Sequence, residues 1–461
     1  MRLFKLRDYQ QETVDGIIKS IKKGNHAIMI TSPPRTGKTV VMAEIARRAT
    51  AKGNRVLFIV HRKEIVDQAK ITFKQQSVNM KLCTLGMVQT FTRRVDKLKP
   101  PDLIFIDEAH HVLGKTYLRI INAFPRALKL LFTATPIRLN GKGFTDVVTD
   151  LVPGKQVSWL IKHKMLAPVD YYAPKAINVA RLKVKRNGEF DTKSIEQAIK
   201  PKIYGNAVKN YKKLAAGKQA IAYCYNVASA EKLAAEFNRK GIKAASVSGN
   251  TPKDKRKQII NDYRNGKIMI VTNAELFTEG LDLPNVDCVI QLRPTQSLSL
   301  FLQFSMRSMN PRKGKRAVII DHVGNVERFG LPTDDRNWTI QDTKSIKGTN
   351  NASSTEIKPV TVCEQCFATF YRTNDKCPFC GADLKREETI EVDEDAKLEK
   401  VEAIKRKERI DKILNDGLTN YVADKRPSEL NNMEQLKAYA KLKGYKRGWI
   451  FYQAKQKGLI R

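Results

Sequence analysis

Short apolar runs separated by helical segments constrain this chain more than any other feature of it. HAIMIT (26–31), VLFIV (56–60), LIFID (103–107) and LLFTAT (130–135) are each too short for a substantial helix. Runs this short and this apolar read as strands buried on both faces. The stretches between them, such as KTVVMAEIARRATAKG (38–53), carry helical spacing and end at glycine. Strand alternating with helix predicts an α/β fold, a parallel sheet with helices on both sides, over residues 1–155. The alternation pauses over 156–205, a connection holding a helix, an extended piece and the polar stretch RLKVKRNGEFDTKS. It resumes over 206–325 in QAIAYCY, AASVSG, KIMIVTN, VDCVIQL and RAVIIDH, which predicts a second sheet domain of the same kind. The duplication is of whole domains, with no short-period repeat.

Beyond the second domain the character changes. Residues 326–358 are polar and rich in Ser, Thr and Asn, and read as a linker. Residues 359–385 hold a cysteine cluster, 386–425 a densely charged helical segment, and 426–461 a basic, aromatic helical segment. A 42% apolar fraction over 461 residues supports real cores. The 84 Lys and Arg outnumber the 47 Asp and Glu, a formal charge of +37, and a field of that sign favours a polyanion, nucleic acid first. An anionic membrane is the rival, but no apolar run approaches a membrane span. The start, MRLFKLRDYQ, lacks the apolar core of a signal peptide. A cytoplasmic protein is expected, in the host cytoplasm if phage-encoded.

SPPRTGKT (32–39) stands between the first strand and a helix. Binding a nucleoside triphosphate needs backbone N–H groups aimed at phosphates, a cation beside them and a hydroxyl on Mg²⁺. Lys38 and Thr39 fit the last two needs, and Gly37 lets the backbone approach. Pro34 removes a donor, Arg35 adds a cation, and Thr36 completes the turn. A chance GKT in a loop is the bland reading, disfavoured by the strand–loop–helix setting. DEAH (107–110) closes the LIFI strand. Ligands of parallel sheets bind outside the carboxyl ends of strands, so Asp107 would hold Mg²⁺ beside the loop and Glu108 would position and deprotonate a water. The rival here is an acidic strand end capping a helix.

These motifs resemble those of superfamily 2 helicases of the DEAD/DEAH type, through most of residues 3–325. The resemblance implies two tandem RecA-like lobes, with ATP between them and nucleic acid across both. LRDYQQETV (6–14) looks like the adenine-recognition motif, in which Gln10 would read the base with Arg7 nearby. HRKEIVDQA (61–69) and GMVQT (86–90) look like motifs Ia and Ib, which puts Arg62 and Thr90 on the nucleic-acid backbone. TAT (133–135) matches motif III, so Thr133 and Thr135, with His110 of DEAH, would couple hydrolysis to strand binding. TNAELFTEGLDLPNVD (272–287) is similar to motif V, with Gly280 and Asp282 facing the nucleotide and Thr272 near the bound strand. QFSMRSMN (303–310) occupies the place of motif VI. Gln303 and Arg307 match, whereas Met306 replaces a glycine and Asn310 a second arginine, so either Arg307 serves alone or Arg312 reaches in to supply the second charge. The layout looks closest to the RadD-like branch and its bacteriophage relatives.

Cys363, Cys366, Cys377 and Cys380 have the CxxC–x₁₀–CxxC spacing of a zinc ribbon. Two disulfides are the rival use of the same residues. The expected metal is structural, because so short a segment buries too little core to fold alone. In the last segment, Tyr439, Tyr445, Trp449, Phe451 and Tyr452 interleave with lysines. They read either as stacking platforms for bases or as the core of a small helical domain.

The function expected is an ATP-dependent helicase or translocase, acting on DNA in replication, recombination or repair. The alternatives are a translocase on duplex or branched DNA that separates no strands, and a nucleic-acid-binding scaffold with an impaired ATPase.

Overall fold

The computed structural model describes residues 4–138, 141–174, 182–186, 188–199, 202–274, 283, 285–342, 360–384, 421–423, 425–445 and 447–460. The chain forms two compact units, Met1–Leu384 and Lys385–Arg461. The larger unit holds two six-stranded sheets. The first contains β1 (Ala27–Thr31), β2 (Val56–Val60), β3 (Cys83–Met87), β4 (Leu103–Ile106), β5 (Leu128–Thr133) and β6 (Asp150–Pro153), in the order β3-β2-β4-β5-β1-β6. Every pairing is parallel, with Ile30 opposite Phe132 and Phe58 opposite Phe105. Both faces are buried, which is why the four anticipated runs are continuously apolar rather than alternating. Ile28, Ile30, Phe58, Phe105 and Phe132 pack on one side, and Met29, Leu57, Ile59, Ile104 and Leu131 on the other.

The second sheet contains β7 (Val169–Tyr172), β8 (Ala220–Cys224), β9 (Ala244–Val247), β10 (Ile270–Asn273), β11 (Cys288–Leu292) and β12 (Ala317–Asp321), in the order β7-β12-β11-β8-β10-β9, again all parallel. Three strands were not among the anticipated runs: β3, β6 and β7. All three are edge strands and largely half-buried, so packing does not demand an unbroken apolar string of them. One consequence is a shifted boundary. The 156–205 connection supplies β7, so the second sheet begins well before residue 206.

The stretch expected to be a linker also differs at its start. Residues 325–342 form a short helix, Asn325–Phe329, and then a strap that returns to the first lobe. Gln156 Nε2 donates to the Arg336 carbonyl at 2.9 Å, Ser158 Oγ to Asp335 at 2.6 Å, and the Phe144 amide to the Ile340 carbonyl at 2.7 Å. Arg336 is buried, and its guanidinium donates to the carbonyls of Phe329, Leu331 and Asp334. A stretch of polar composition is thus ordered by hydrogen bonds that composition does not display. Residues 343–358, and nearly all of the anticipated charged segment 386–425, lie outside the described residues.

The cysteine segment folds back on the second lobe. Its strands β13 (Thr361–Val362) and β14 (Thr369–Phe370) pair antiparallel. Tyr172 bridges Ala368, and the Ala173 amide donates to the Phe367 carbonyl at 3.0 Å, so the segment extends the second sheet at its β7 edge. The smaller unit is helical in its described part. Asn432 caps the helix Met433–Lys443 through a bond from the Gln435 amide, and Gly444, at φ 74°, ends it. The helix Arg447–Gln456 follows, around a core of Val422, Leu430, Leu436, Tyr439 and Ala454. Among the described residues no helix is long and apolar enough to cross a membrane.

His322, directly after β12, is fully buried, and neither ring nitrogen has a partner among the described residues. Burial holds its pKa down at about 4. The unfolded chain therefore takes up a proton near pH 6.5 that the folded one refuses until about pH 4. Stability contributed by neutral His322 is complete above pH 6.5 and falls as pH drops through that window, by about 3 kcal/mol in full. His322→Leu should flatten the urea-unfolding midpoint between pH 6.5 and 4 relative to the unaltered protein.

Candidate functional site

The sheet order brings the predicted residues together. β5 lies between β4 and β1, so the carboxyl ends of these three strands present the acid pair, TAT and the phosphate loop side by side. Gly37 precedes the helix Lys38–Ala51 in the left-handed region, at φ 79°. No side chain caps that helix, which leaves its first N–H groups directed at whatever occupies the loop. The loop is braced from behind. Tyr9 Oη and Gln10 Nε2 both donate to the Thr36 carbonyl, at 2.9 and 3.0 Å, and Thr36 Oγ1 sits 2.6 Å from both Ser32 Oγ and the Pro33 carbonyl. Gln10 Oε1 accepts from the Arg7 amide, so one end of the side chain expected to read adenine closes the first turn of its own helix while the other supports the loop. Arg7 itself reaches the Met165 sulfur. Pro34 lines a small cleft with Pro33, Gln156, Met306 and Trp338. Arg35 holds a positive φ of 69° and donates to the Leu283 carbonyl of the second lobe at 3.2 Å. Thr39 is the second residue of the helix, half-buried at the loop.

Lys38 Nζ lies 3.6 Å from Glu108 Oε1, and both side chains are largely shielded from water. Asp107 is buried and accepts from the Glu108 amide at 2.9 Å. Glu108 itself adopts a left-handed φ of 51°, which turns the chain sharply as it leaves β4. From Glu108 a line of polar contacts runs toward the second lobe. Its Oε2 is 3.5 Å from His110 Nδ1, which is 3.3 Å from Thr133 Oγ1. Thr133 Oγ1 accepts from the Thr135 amide at 3.1 Å, and Thr135 Oγ1 donates to Ser299 Oγ at 2.6 Å. Both threonines are buried.

The second lobe presents Gln303 and Arg307 on the helix Leu298–Ser305 and the turn after it. Burial raises the Tyr223 phenol, and the charges of Arg307 and Arg35 pull it back, so both cations lie within electrostatic reach of that ring. The departures in motif VI have physical reasons. Met306 is buried in a cluster with Tyr9, Val157, Leu160 and Leu166, so it packs between the lobes where a glycine would leave a void. The Asn310 side-chain Oδ1 accepts from Lys315, a buried amine whose pKa desolvation brings down to about 8. Arg312 pairs with Asp287 at 2.6 Å.

Other predicted residues fall elsewhere. Arg62 and Thr90 follow the carboxyl ends of the paired strands β2 and β3, with Thr90 exposed. Thr272 is wholly buried inside β10, and its hydroxyl donates to the Ala230 carbonyl at 2.7 Å. Gly280 and Asp282 lie outside the described residues. Sequence reasoning missed Tyr9 and Ser299. Tyr9 stands inside LRDYQ beside Gln10, and that adjacency was its only signal; nothing local marks Ser299, which matters because β5 points at it.

The four cysteine sulfurs lie within 4.8 Å of one another, with Cys363–Cys380 at 3.6 Å and Cys366–Cys377 at 3.7 Å. Four sulfurs about 2.3 Å from a tetrahedral zinc are about 3.8 Å apart, whereas a disulfide draws two to about 2 Å. The cluster therefore has the dimensions to hold zinc and not those of two disulfides.

The family described as "Type III restriction enzyme, res subunit" matches residues 3–97 and 79–138, and "Helicase conserved C-terminal domain" matches 203–311. The chain is 40% identical over 383 residues to a "51.5 kDa protein" of a Lactococcus phage (isolate 7-9), covering 83% of this chain and 84% of that one. It is 28% identical over 395 residues to the Saccharomyces cerevisiae protein named "Putative ATP-dependent helicase IRC3", covering 74% of this chain and 56% of that one. In fold it is similar to a structure described as "ATP-dependent Type ISP restriction-modification enzyme LlaBIII bound to DNA", with a TM-score of 0.52 and 17% identity over 70% of this chain and 28% of that one.

At Gly37 a Cβ would stand 2.7 Å from Gln10 Nε2, on a backbone that L-residues rarely adopt. Gly37→Ala should weaken binding of a fluorescent ATP analogue at least tenfold while the far-ultraviolet circular dichroism stays that of the unaltered chain.

Proposed function

The chain belongs to the superfamily 2 helicases, and on that premise we propose that it is an ATP-driven motor on DNA. The observation that carries the reading is the line of polar contacts Lys38–Glu108–His110–Thr133–Thr135–Ser299, which joins the phosphate loop to the second lobe. The uncapped helix N-terminus, the left-handed Gly37 and the Lys38 amine fit a triphosphate, and buried Asp107 with Thr39 fits its Mg²⁺. Bound there, the metal neutralises charge on the phosphates.

The residues supply the rest. Lys38 now balances Glu108, and on binding it would turn to the phosphates. Glu108, released from that pairing, would orient a water and take its proton at Oε1 or Oε2. His110 touches the other oxygen of Glu108 and also Thr133, so a change of charge at Glu108 is felt at Thr135 and Ser299. Arg307 would close from the second lobe, with Asn310 and Arg312 engaged by Lys315 and Asp287. The large positive charge favours nucleic acid, and the DNA-bound enzyme of similar fold supports DNA as the strand. Cys363, Cys366, Cys377 and Cys380 would hold a structural zinc that fastens the segment to β7.

The deciding measurement is the ATPase rate alone and with single-stranded, blunt duplex and branched DNA and with RNA. We expect stimulation by DNA. Equal rates with and without every nucleic acid would overturn the motor reading, and stimulation by blunt duplex without strand displacement would favour translocation without unwinding. Glu108→Gln should lower kcat by about 10²- to 10⁴-fold while nucleotide still binds. Cys363→Ser should abolish zinc release on denaturation, read with a metallochromic dye, and lower the thermal midpoint.

A further inference from the structure

The smaller unit carries a surface that the motor reading does not use. Phe451 and Tyr452 stand side by side on the helix Arg447–Gln456, 59% and 64% exposed. The unit has a core without them, made by Val422, Leu430, Leu436, Tyr439 and Ala454 with Trp449 and Ile450 against it. Among the described residues they are the most exposed large apolar side chains of the unit, ahead of Tyr421, Tyr445 and Leu442, and two adjacent rings left in water invite an occupant. Helical spacing places Gly448, Phe451, Tyr452 and Lys455 on one face, since neighbours on a helix lie three and four residues apart. Gly448 contributes no side chain, and nothing lies within 4 Å of where its Cβ would be, so the flank of the rings is open to a flat group. Lys441, Lys443 and Lys455 are exposed in the same unit. Over residues 431–461 eight Lys or Arg face one Glu. An exposed aromatic pair amid that charge is complementary to unpaired bases on a phosphate backbone, and a duplex, whose base faces are already stacked, cannot use the rings.

We propose that this face is a second nucleic-acid site, a platform for single-stranded DNA in which Phe451 and Tyr452 stack on successive bases and Lys455 accompanies the phosphates. It rests on the reading of the chain as a DNA-acting protein but not on the ATPase, so the two can fail separately. The test uses the full chain and a fluorescent 20-nucleotide oligothymidylate, with binding read by anisotropy. Phe451→Ala with Tyr452→Ala should weaken binding by about tenfold or more. Phe451→Tyr with Tyr452→Phe should retain it, blunt-duplex binding should hardly change, and the DNA-free ATPase rate should match that of the unaltered chain. An unchanged oligothymidylate affinity overturns the platform. So does an equal loss on blunt duplex, which would make the surface a plain electrostatic one. Dissociation of a dimer by the alanine pair, seen in light scattering, would reassign the face to self-association, and tighter binding of oligouridylate would overturn the choice of DNA. Loss of ATPase stimulation in the unaltered protein bears on the motor alone, because the anisotropy does not depend on it.

Discussion

The contact between Lys38 and Glu108 is the interaction on which the rest of the site turns. A lysine and a carboxylate, both mostly withdrawn from water, are each costly to bury alone, and pairing offsets that cost. Their meeting requires that a loop following β1 and an acid following β4 share one edge of a sheet. Parallel pairing through β5 provides this, because all three strands then end on the same side. An antiparallel β4 would put Glu108 at the opposite edge. The buried Phe58, Phe105 and Phe132 thus serve the chemistry indirectly, since they hold the strand order that brings the two charges to 3.6 Å.

Around that contact, and besides the Arg35–Leu283 bond, the lobes are joined among the described residues by three kinds of interaction. The polar line ends in Thr135 and Ser299, whose hydroxyls meet across the interface. An apolar cluster places Met306 and Met309 against Tyr9 and Leu160. The strap ties the far end of the second lobe back to Gln156, Ser158 and Phe144. Their chemistry differs in consequence. The hydroxyl contact is directional and sensitive to small shifts, the methionines are adaptable and tolerate sliding, and the strap is a covalent continuation that limits separation. Tyr371 donates to Asp334 in that strap, so the cysteine segment braces both the second sheet and the tie between lobes.

Met306 and Asn310 show how a departure from a family pattern can be read physically. Judged by motif alone, the two weaken the second lobe's claim to catalysis. In place, Met306 fills space between lobes, and Asn310 satisfies Lys315, a buried amine that would otherwise depend on Asp287 and a backbone carbonyl. Packing and the satisfaction of a buried charge account for both residues.

The central strands, the phosphate loop and the acid pair were legible in the sequence because each is a local requirement. A strand buried on both faces must be apolar throughout, and a phosphate-binding turn must carry glycine, lysine and a hydroxyl within a few residues. The cysteine cluster was legible for the same reason, as its four ligands lie within one short segment. Edge strands β3, β6 and β7 were not, since half-buried backbone tolerates mixed side chains. Ser299, the bracing of Thr36 by Tyr9 and Gln10, and the strap through Arg336 depend on residues far apart in the chain, and only the tertiary structure decides which of them meet. Thr272 makes the same point in reverse: its motif set it near the bound strand, and strand order places it between β8 and β9, where no solvent reaches. Local chemistry is written residue by residue, whereas contact between distant segments follows from strand order and packing, which no single stretch encodes.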